Sequence, residues 1–188
     1  MASCAVRDHS IGYERGGSGP PLLLLNGFAG TRAAWDPDFL DALRGRFELV
    51  LVDNRGMGES TGGHEPFAVE DLAADTATLI EELGLGAPAV LGSSMGGAIA
   101  LALALSRPEL VDSLILLASH PGGSPVFASP EVREALADVS APPREQATRV
   151  ISAVFTPDRA ESIDASFGDG LRRAPRWIRG PWRARTMR

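Results

Sequence analysis

The sequence predicts an α/β fold: a mostly parallel sheet with helices on both faces. Two observations carry this. Short apolar runs recur along the first two thirds of the chain without the in-out alternation of a half-exposed strand, as expected of strands covered on both faces. Between them lie longer stretches with apolar residues at helical spacing. Strand, helix, strand, helix in that order implies crossover connections and an open sheet.

The elements follow in order. Ile11 to Arg15 reads as an early antiparallel strand, and Leu22 to Leu25 as a buried strand after the Gly/Pro turn Gly16 to Pro21. Trp35, Phe39, Ala42 and Leu43 mark a helix face, and Phe47 to Asp53 is the next strand. Val69, Leu72, Ala73, Thr76, Leu79, Ile80 and Leu83 share one face of a second helix. Glu70 and Asp71 sit in its first turn, where the helix dipole favours acids, and Gly84 ends it. Ala87 to Gly92 is a third buried strand and Val111 to Ala118 a fourth. The segment Ala98 to Leu105 alternates small and large residues, which mimics a strand. Alanine and leucine are strong helix formers and only Ile99 is β-branched, so a buried helix over Gly97 to Ser106 is the better reading. After Ser119, prolines at 121, 125, 130, 142, 143 and 157 punctuate three short helical patterns, and no further strand candidate follows. The expected organisation is a core over residues 1–120, a partial helical cap over 121–170 and a tail over 171–188.

The chain has 188 residues, enough for one domain. A hydrophobic share of 44% and a charged share of 22% are ordinary for a globular chain and exclude collagen, coiled coil and bulk disorder. The longest apolar stretch, Met95 to Leu105, falls short of the roughly 18 residues a membrane span needs. The N-terminus lacks a charged start followed by an apolar core, so no signal peptide and a cytoplasmic location are expected. The lone Cys4 allows no internal disulfide, which fits a reducing compartment. All 18 basic residues are arginine; residues 171–188 carry a charge of +7 and residues 1–170 a charge of −13. So acidic a body offers no electrostatic reason to expect nucleic acid as partner.

Three loops carry chemistry. Gly92-Ser93-Ser94-Met95-Gly96 is a G-x-S-x-G pattern between a strand and a helix. Glycines there remove Cβ atoms that would clash in a sharp turn, and Ser94 is held exposed at a helix N-terminus. Asn26-Gly27-Phe28-Ala29-Gly30 closes the Leu22 to Leu25 strand with a Gly-bearing loop at the carboxyl edge of the sheet, where ligands gather in open α/β folds. Backbone N–H groups in such a loop can hold a developing oxyanion. Asp53-Asn54-Arg55-Gly56-Met57-Gly58-Glu59-Ser60 follows another strand and reads as scaffold, with Asp53 and Arg55 placed to pair.

Together these motifs resemble the α/β-hydrolase superfamily, most closely its small cap-bearing branch of esterases, lactonases and carbon–carbon-bond hydrolases. The resemblance covers about residues 8–125 well and the cap to about 170 loosely. It implies an α/β-hydrolase sheet lacking the final strands. It makes Ser94 the nucleophile, the N–H groups of Phe28 and Met95 the oxyanion hole, and Asn26, Gly27, Ser93 and His120 residues near the substrate. A serine nucleophile argues against the aspartate-using branches, the dehalogenases and epoxide hydrolases. The family usually has histidine where this chain has Asn26.

In the family the triad runs nucleophile, acid, histidine. The acids after the cap helices are Asp164 and Asp169, and no histidine follows them. His9 and His64 read as solvated surface residues. His120 ends the strand after the elbow helix and reads as a pocket-lining or capping residue; the sharper alternative makes it a substitute general base. The tail carries two of the three tryptophans and seven arginines. One reading makes it a phosphate- and base-binding arm. The other, favoured by the lysine-free Arg/Ala/Gly/Pro bias of GC-rich codons, makes it the product of a frameshift or truncation. The expected protein is thus a serine-nucleophile hydrolase of small ester-like substrates by family, impaired in this chain, or a non-catalytic product that keeps the pocket. No cofactor, metal, membrane or nucleic-acid partner is expected.

Overall fold

The computed structural model describes residues 2–28, 30–62 and 67–121, and a few residues between 130 and 161. Two compact units divide the chain, Met1–Gly122 and Gly123–Arg188. His64, Asp164, Asp169, the tail and most of the expected cap lie outside the described residues. Helical residues do occur at 148–149, 151–152 and 157–161.

The first unit is built on six strands: β1 (Ala2–Val6), β2 (His9–Gly17), β3 (Pro21–Leu25), β4 (Glu48–Val52), β5 (Ala89–Ser93) and β6 (Ser113–Leu117). Their spatial order is β1-β2-β4-β3-β5-β6. β1 and β2 run antiparallel to their neighbours, and β4, β3, β5 and β6 are parallel to one another. The mostly parallel sheet expected from the sequence is therefore present, with β2 as the early antiparallel strand that Ile11 to Arg15 predicted. β1 was not foreseen: Ala2–Val6 is short and mostly exposed, so it lacks the apolar run that marks the buried strands.

The unbroken leucines of β3 are explained by the two faces they serve. Leu23 and Leu25 join Val50, Val52 and Val90 in a core beneath α2 (Val69–Glu82) and α3 (Met95–Ser106), with Leu72, Leu79, Ile80, Ile99 and Leu103. Leu22 and Leu24 point the other way, with Leu49, Leu51 and Leu91, against Leu40 of α1 (Pro37–Arg44). Each fully buried leucine contributes roughly 1.5–3 kcal/mol, so both faces need covering. Asp36 caps α1 by accepting from the Phe39 N–H, and Trp35 stacks on Phe39 with ring centroids 6.0 Å apart. Trp35 thus belongs to the approach to this helix and not to its body. Ala98 to Leu105 is helical, as the alanine and leucine content predicts.

Registers across the parallel strands pair Leu25 with Val52 and Gly92, and Ser93 with Leu117. The loops that follow β3, β4, β5 and β6 therefore leave the sheet side by side at one edge. No helix among the described residues is long and apolar enough to cross a membrane.

Candidate functional site

Ser94 sits between β5 and α3 with φ 53° and ψ −120°, outside the regions L-residues favour. Such a conformation persists only where its surroundings impose it. Two glycines make it possible by close approach. A Cβ on Gly92 would collide with the Gly96 carbonyl, and one on Gly96 with the carbonyl of Leu25. The turn is thereby pressed against the end of β3, and Ser94 stands exposed above it.

The Asn26 to Gly30 turn lies alongside. A Cβ built on Gly27 would be 3.1 Å from Ser94 Cβ and 3.5 Å from Ser94 Oγ. The turn is pinned from within. The Asn26 side chain accepts from the Gly27 N–H at 3.3 Å and donates to the Thr31 carbonyl at 2.7 Å, while Gly30 N–H donates to the Gly27 carbonyl at 3.1 Å. It is also held from behind, where the buried Asn54 amide donates to the Asn26 carbonyl at 3.1 Å. Phe28 is exposed on the turn. Ser93 and Met95 are half-buried on either side of Ser94.

Asp53 and Arg55 do not pair. Asp53, almost fully buried, accepts from the backbone N–H groups of Arg32 at 2.8 Å and Glu59 at 3.0 Å, and its carboxylate meets the Arg32 guanidinium. It therefore ties the Gly-rich loop after β4 to the chain beyond the Asn26 to Gly30 turn. Arg55 turns away to Asp75 on α2 through two hydrogen bonds of 2.7 Å, and its guanidinium lies 5.6 Å from the centre of the Phe67 ring. That carboxylate raises the Arg55 pKa above the ordinary arginine value. The imidazole of His9, expected at the surface, is buried: its Nε2 is 3.1 Å from Asp75 and its Nδ1 is 3.1 Å from Asp8. The sequence offered no sign of this, because His9, Arg55 and Asp75 meet only when β2, the loop after β4 and α2 assemble.

His120 is exposed just beyond β6. Its neighbour Ser119 reaches the elbow, donating its hydroxyl to the Ser94 carbonyl at 2.8 Å, and the Ser94 N–H donates to the Leu117 carbonyl at 2.9 Å. The structure thus gathers Ser94, Met95, Ser93, Asn26, Gly27 and Phe28 at one sheet edge. To these it adds Asn54, from the loop read as scaffold, and Ser119, which belongs to none of the three loops.

Residues 20–185 match the model of the alpha/beta hydrolase fold family. The chain belongs to that family. It is 39% identical over 112–113 residues to a pimeloyl-acyl-carrier-protein methyl ester esterase of Aeromonas hydrophila and 38% identical to one of Nitrosomonas europaea, covering 60% of this chain and 42% of each relative. The chain spans about two fifths of the length of the curated relatives it matches. Among solved structures, a hydrolase from Pseudomonas aeruginosa superposes with a TM-score of 0.75 at 28% identity, covering 94% of this chain and 68% of that one. A thermophilic esterase from Thermogutta terrifontis gives a TM-score of 0.62 at 29% identity, covering 79% and 53%.

Proposed function

We propose that Ser94 is the nucleophile of a hydrolase acting on esters, lactones or related small carbonyl compounds. In this reading the Ser94 hydroxyl attacks the carbonyl carbon, and the backbone N–H groups of Met95 and Phe28 receive the oxyanion that forms. The observation that carries the reading is the Ser94 conformation. A non-glycine residue is held at φ 53° on a strand-to-helix turn, exposed, with the Gly27 backbone close beside its hydroxyl. Asn26, Gly27 and Ser93 then line the entry to the site, and His120 stands at its rim. The esterase names of several relatives support an ester-like substrate.

A second reading is favoured by the histidine inventory. The 188 residues contain three histidines, and the imidazole of His9 is buried, hydrogen-bonded to Asp8 and 3.1 Å from Asp75. A serine hydroxyl needs a base within about 3 Å that is itself oriented by a partner. Turnover by this chain is therefore proposed to be impaired even though the nucleophile turn is intact. A fluorophosphonate probe tests the first reading, since it forms a phosphonyl ester only with an activated hydroxyl. Slow labelling located at Ser94 by mass spectrometry, and absent from Ser94→Ala, is the expected result. Complete inertness of the wild-type chain would leave the non-catalytic reading standing alone.

A further inference from the structure

We infer that Ser119 is a positioning residue for the oxyanion site, acting through the peptide that joins Ser94 to Met95. The inference rests on the reading of Ser94 as nucleophile and Met95 N–H as oxyanion donor. A peptide unit is planar and trans, so its C=O and N–H point in opposite directions and cannot turn independently. The Ser94 carbonyl therefore fixes where the Met95 N–H aims. That carbonyl accepts two donors, the Gly97 N–H at 3.0 Å and the Ser119 hydroxyl at 2.8 Å. Hydrogen bonds on the oxygen also polarise the unit and strengthen its N–H as a donor.

The backbone around Ser119 is arranged for this contact. β6 ends at Leu117, and Ala118 then adopts φ 47°, one of only three described non-glycine residues with positive φ. That reversal brings Ser119 back over the elbow while Leu117 still accepts from the Ser94 N–H. The space Ser119 fills is kept open by Gly97, because a Cβ there would collide with the Ser119 hydroxyl. Ser94 and Ala118, two positive-φ residues just past the ends of adjacent strands, thus face each other, with Leu117 and Ser119 on either side of Ala118 bonded to the N–H and carbonyl of Ser94. The Phe28 donor is held in the same way, since the Gly27–Phe28 peptide has its carbonyl engaged by the Gly30 N–H at 3.1 Å.

The test compares Ser119→Ala with Ser119→Thr, which keeps the hydroxyl. Two readouts are used: fluorophosphonate labelling of Ser94, and the NMR shifts of the Ser94 carbonyl carbon and Met95 amide. Losing an oxyanion donor altogether costs about 10²–10³-fold. Misaligning one is expected to slow the maximal labelling rate of Ser119→Ala about tenfold with little change in the probe concentration for half-maximal rate. Ser119→Thr should restore most of the rate, and the two NMR signals should move in the alanine variant and return in the threonine one. Labelling of Ser119→Ala at the wild-type rate, or a threonine variant no faster than alanine, would overturn the inference. If the wild-type chain does not label at all, the nucleophile reading fails, and the NMR shifts decide separately whether Ser119 orients this peptide. Unmoved shifts in Ser119→Ala would overturn that too.

Discussion

The imidazole of His9 lies 3.1 Å from the carboxylate of Asp75, and only 4% and 3% of the two side chains are exposed. Both Asp75 oxygens are already engaged by Arg55, each at 2.7 Å, so His9 abuts an occupied carboxylate. Three elements meet here: β2, the loop after β4 and α2. The network lies where the antiparallel strand joins the parallel sheet, and it anchors the loop from which Asn54 reaches the Asn26 carbonyl and Asp53 holds Arg32 just beyond the Asn26 to Gly30 turn.

Asp75→Asn is expected to destabilise the protein strongly. The variant leaves the largely buried Arg55 guanidinium without its counter-charge, and breaking such a pair by removing one partner costs about 3–5 kcal/mol. Thermal unfolding should fall by roughly 10 °C or more. Asp8→Asn is the control, because Asp8 is 95% exposed and its melting curve should nearly superpose on the wild type. Equal melting temperatures for Asp75→Asn and wild type would show that the network contributes nothing.

Asn54→Ala should slow labelling of Ser94 several-fold while the chain stays folded. The substitution removes the amide that donates to the Asn26 carbonyl in a buried position. An unpaired buried acceptor costs about 1–3 kcal/mol, and here the cost falls on the turn beside the Ser94 hydroxyl. A circular-dichroism melt checks the fold and the labelling time course checks the turn. Unchanged labelling would detach Asn54 from the site.

Much of this architecture was legible in the sequence because it rests on local rules. Leu22 to Leu25 read as a strand buried on both faces, and the structure sends alternate leucines to two separate cores. Ala98 to Leu105 was ambiguous by pattern and was decided by propensity, and α3 is there. What escaped was the pairing of side chains distant in sequence. Asp53 and Arg55 are two residues apart and were expected to meet. On leaving a strand they face different neighbours, and each is paired with a residue about 20 positions away. His9 was assigned to solvent for the same reason. Ser119 was a flanking residue of His120 until the left-handed Ala118 turned it onto the elbow. Such contacts follow from tertiary assembly and leave no periodic trace in the chain.

Glu48→Gln should make stability less dependent on pH in the acid range. Arg15 clasps the Glu48 carboxylate with hydrogen bonds of 3.0 and 2.9 Å and holds its pKa below the ordinary glutamate value. A folded-state pKa depressed in this way contributes stability above the unfolded value of about 4.3, and the contribution is lost as pH falls through the lower folded value. Both side chains are about one-third exposed, so solvent screening limits the effect to under about 1 kcal/mol. Urea midpoints at pH 7 should be slightly lower for the variant, and the gap should close below about pH 4. A gap that widened on acidification would contradict the sign.

The last expectation concerns turnover. Purified chain assayed with a panel of short-chain activated esters should show little hydrolysis. On the proposed reading, the Ser94 hydroxyl and the oxyanion N–H groups without a working base supply only the residual ~10³–10⁴-fold over water. The His9 imidazole is buried beside Asp8 and Asp75, and His120 follows shortly after β6, the strand beside the one that presents Ser94. Wild type, Ser94→Ala and His120→Ala therefore form the informative set. Wild type and Ser94→Ala should differ little in multiple-turnover assays and clearly in fluorophosphonate labelling. Robust turnover lost in Ser94→Ala would refute the expected impairment. Its loss in His120→Ala as well would then identify His120 as the base, and its survival there would point to another group activating the serine.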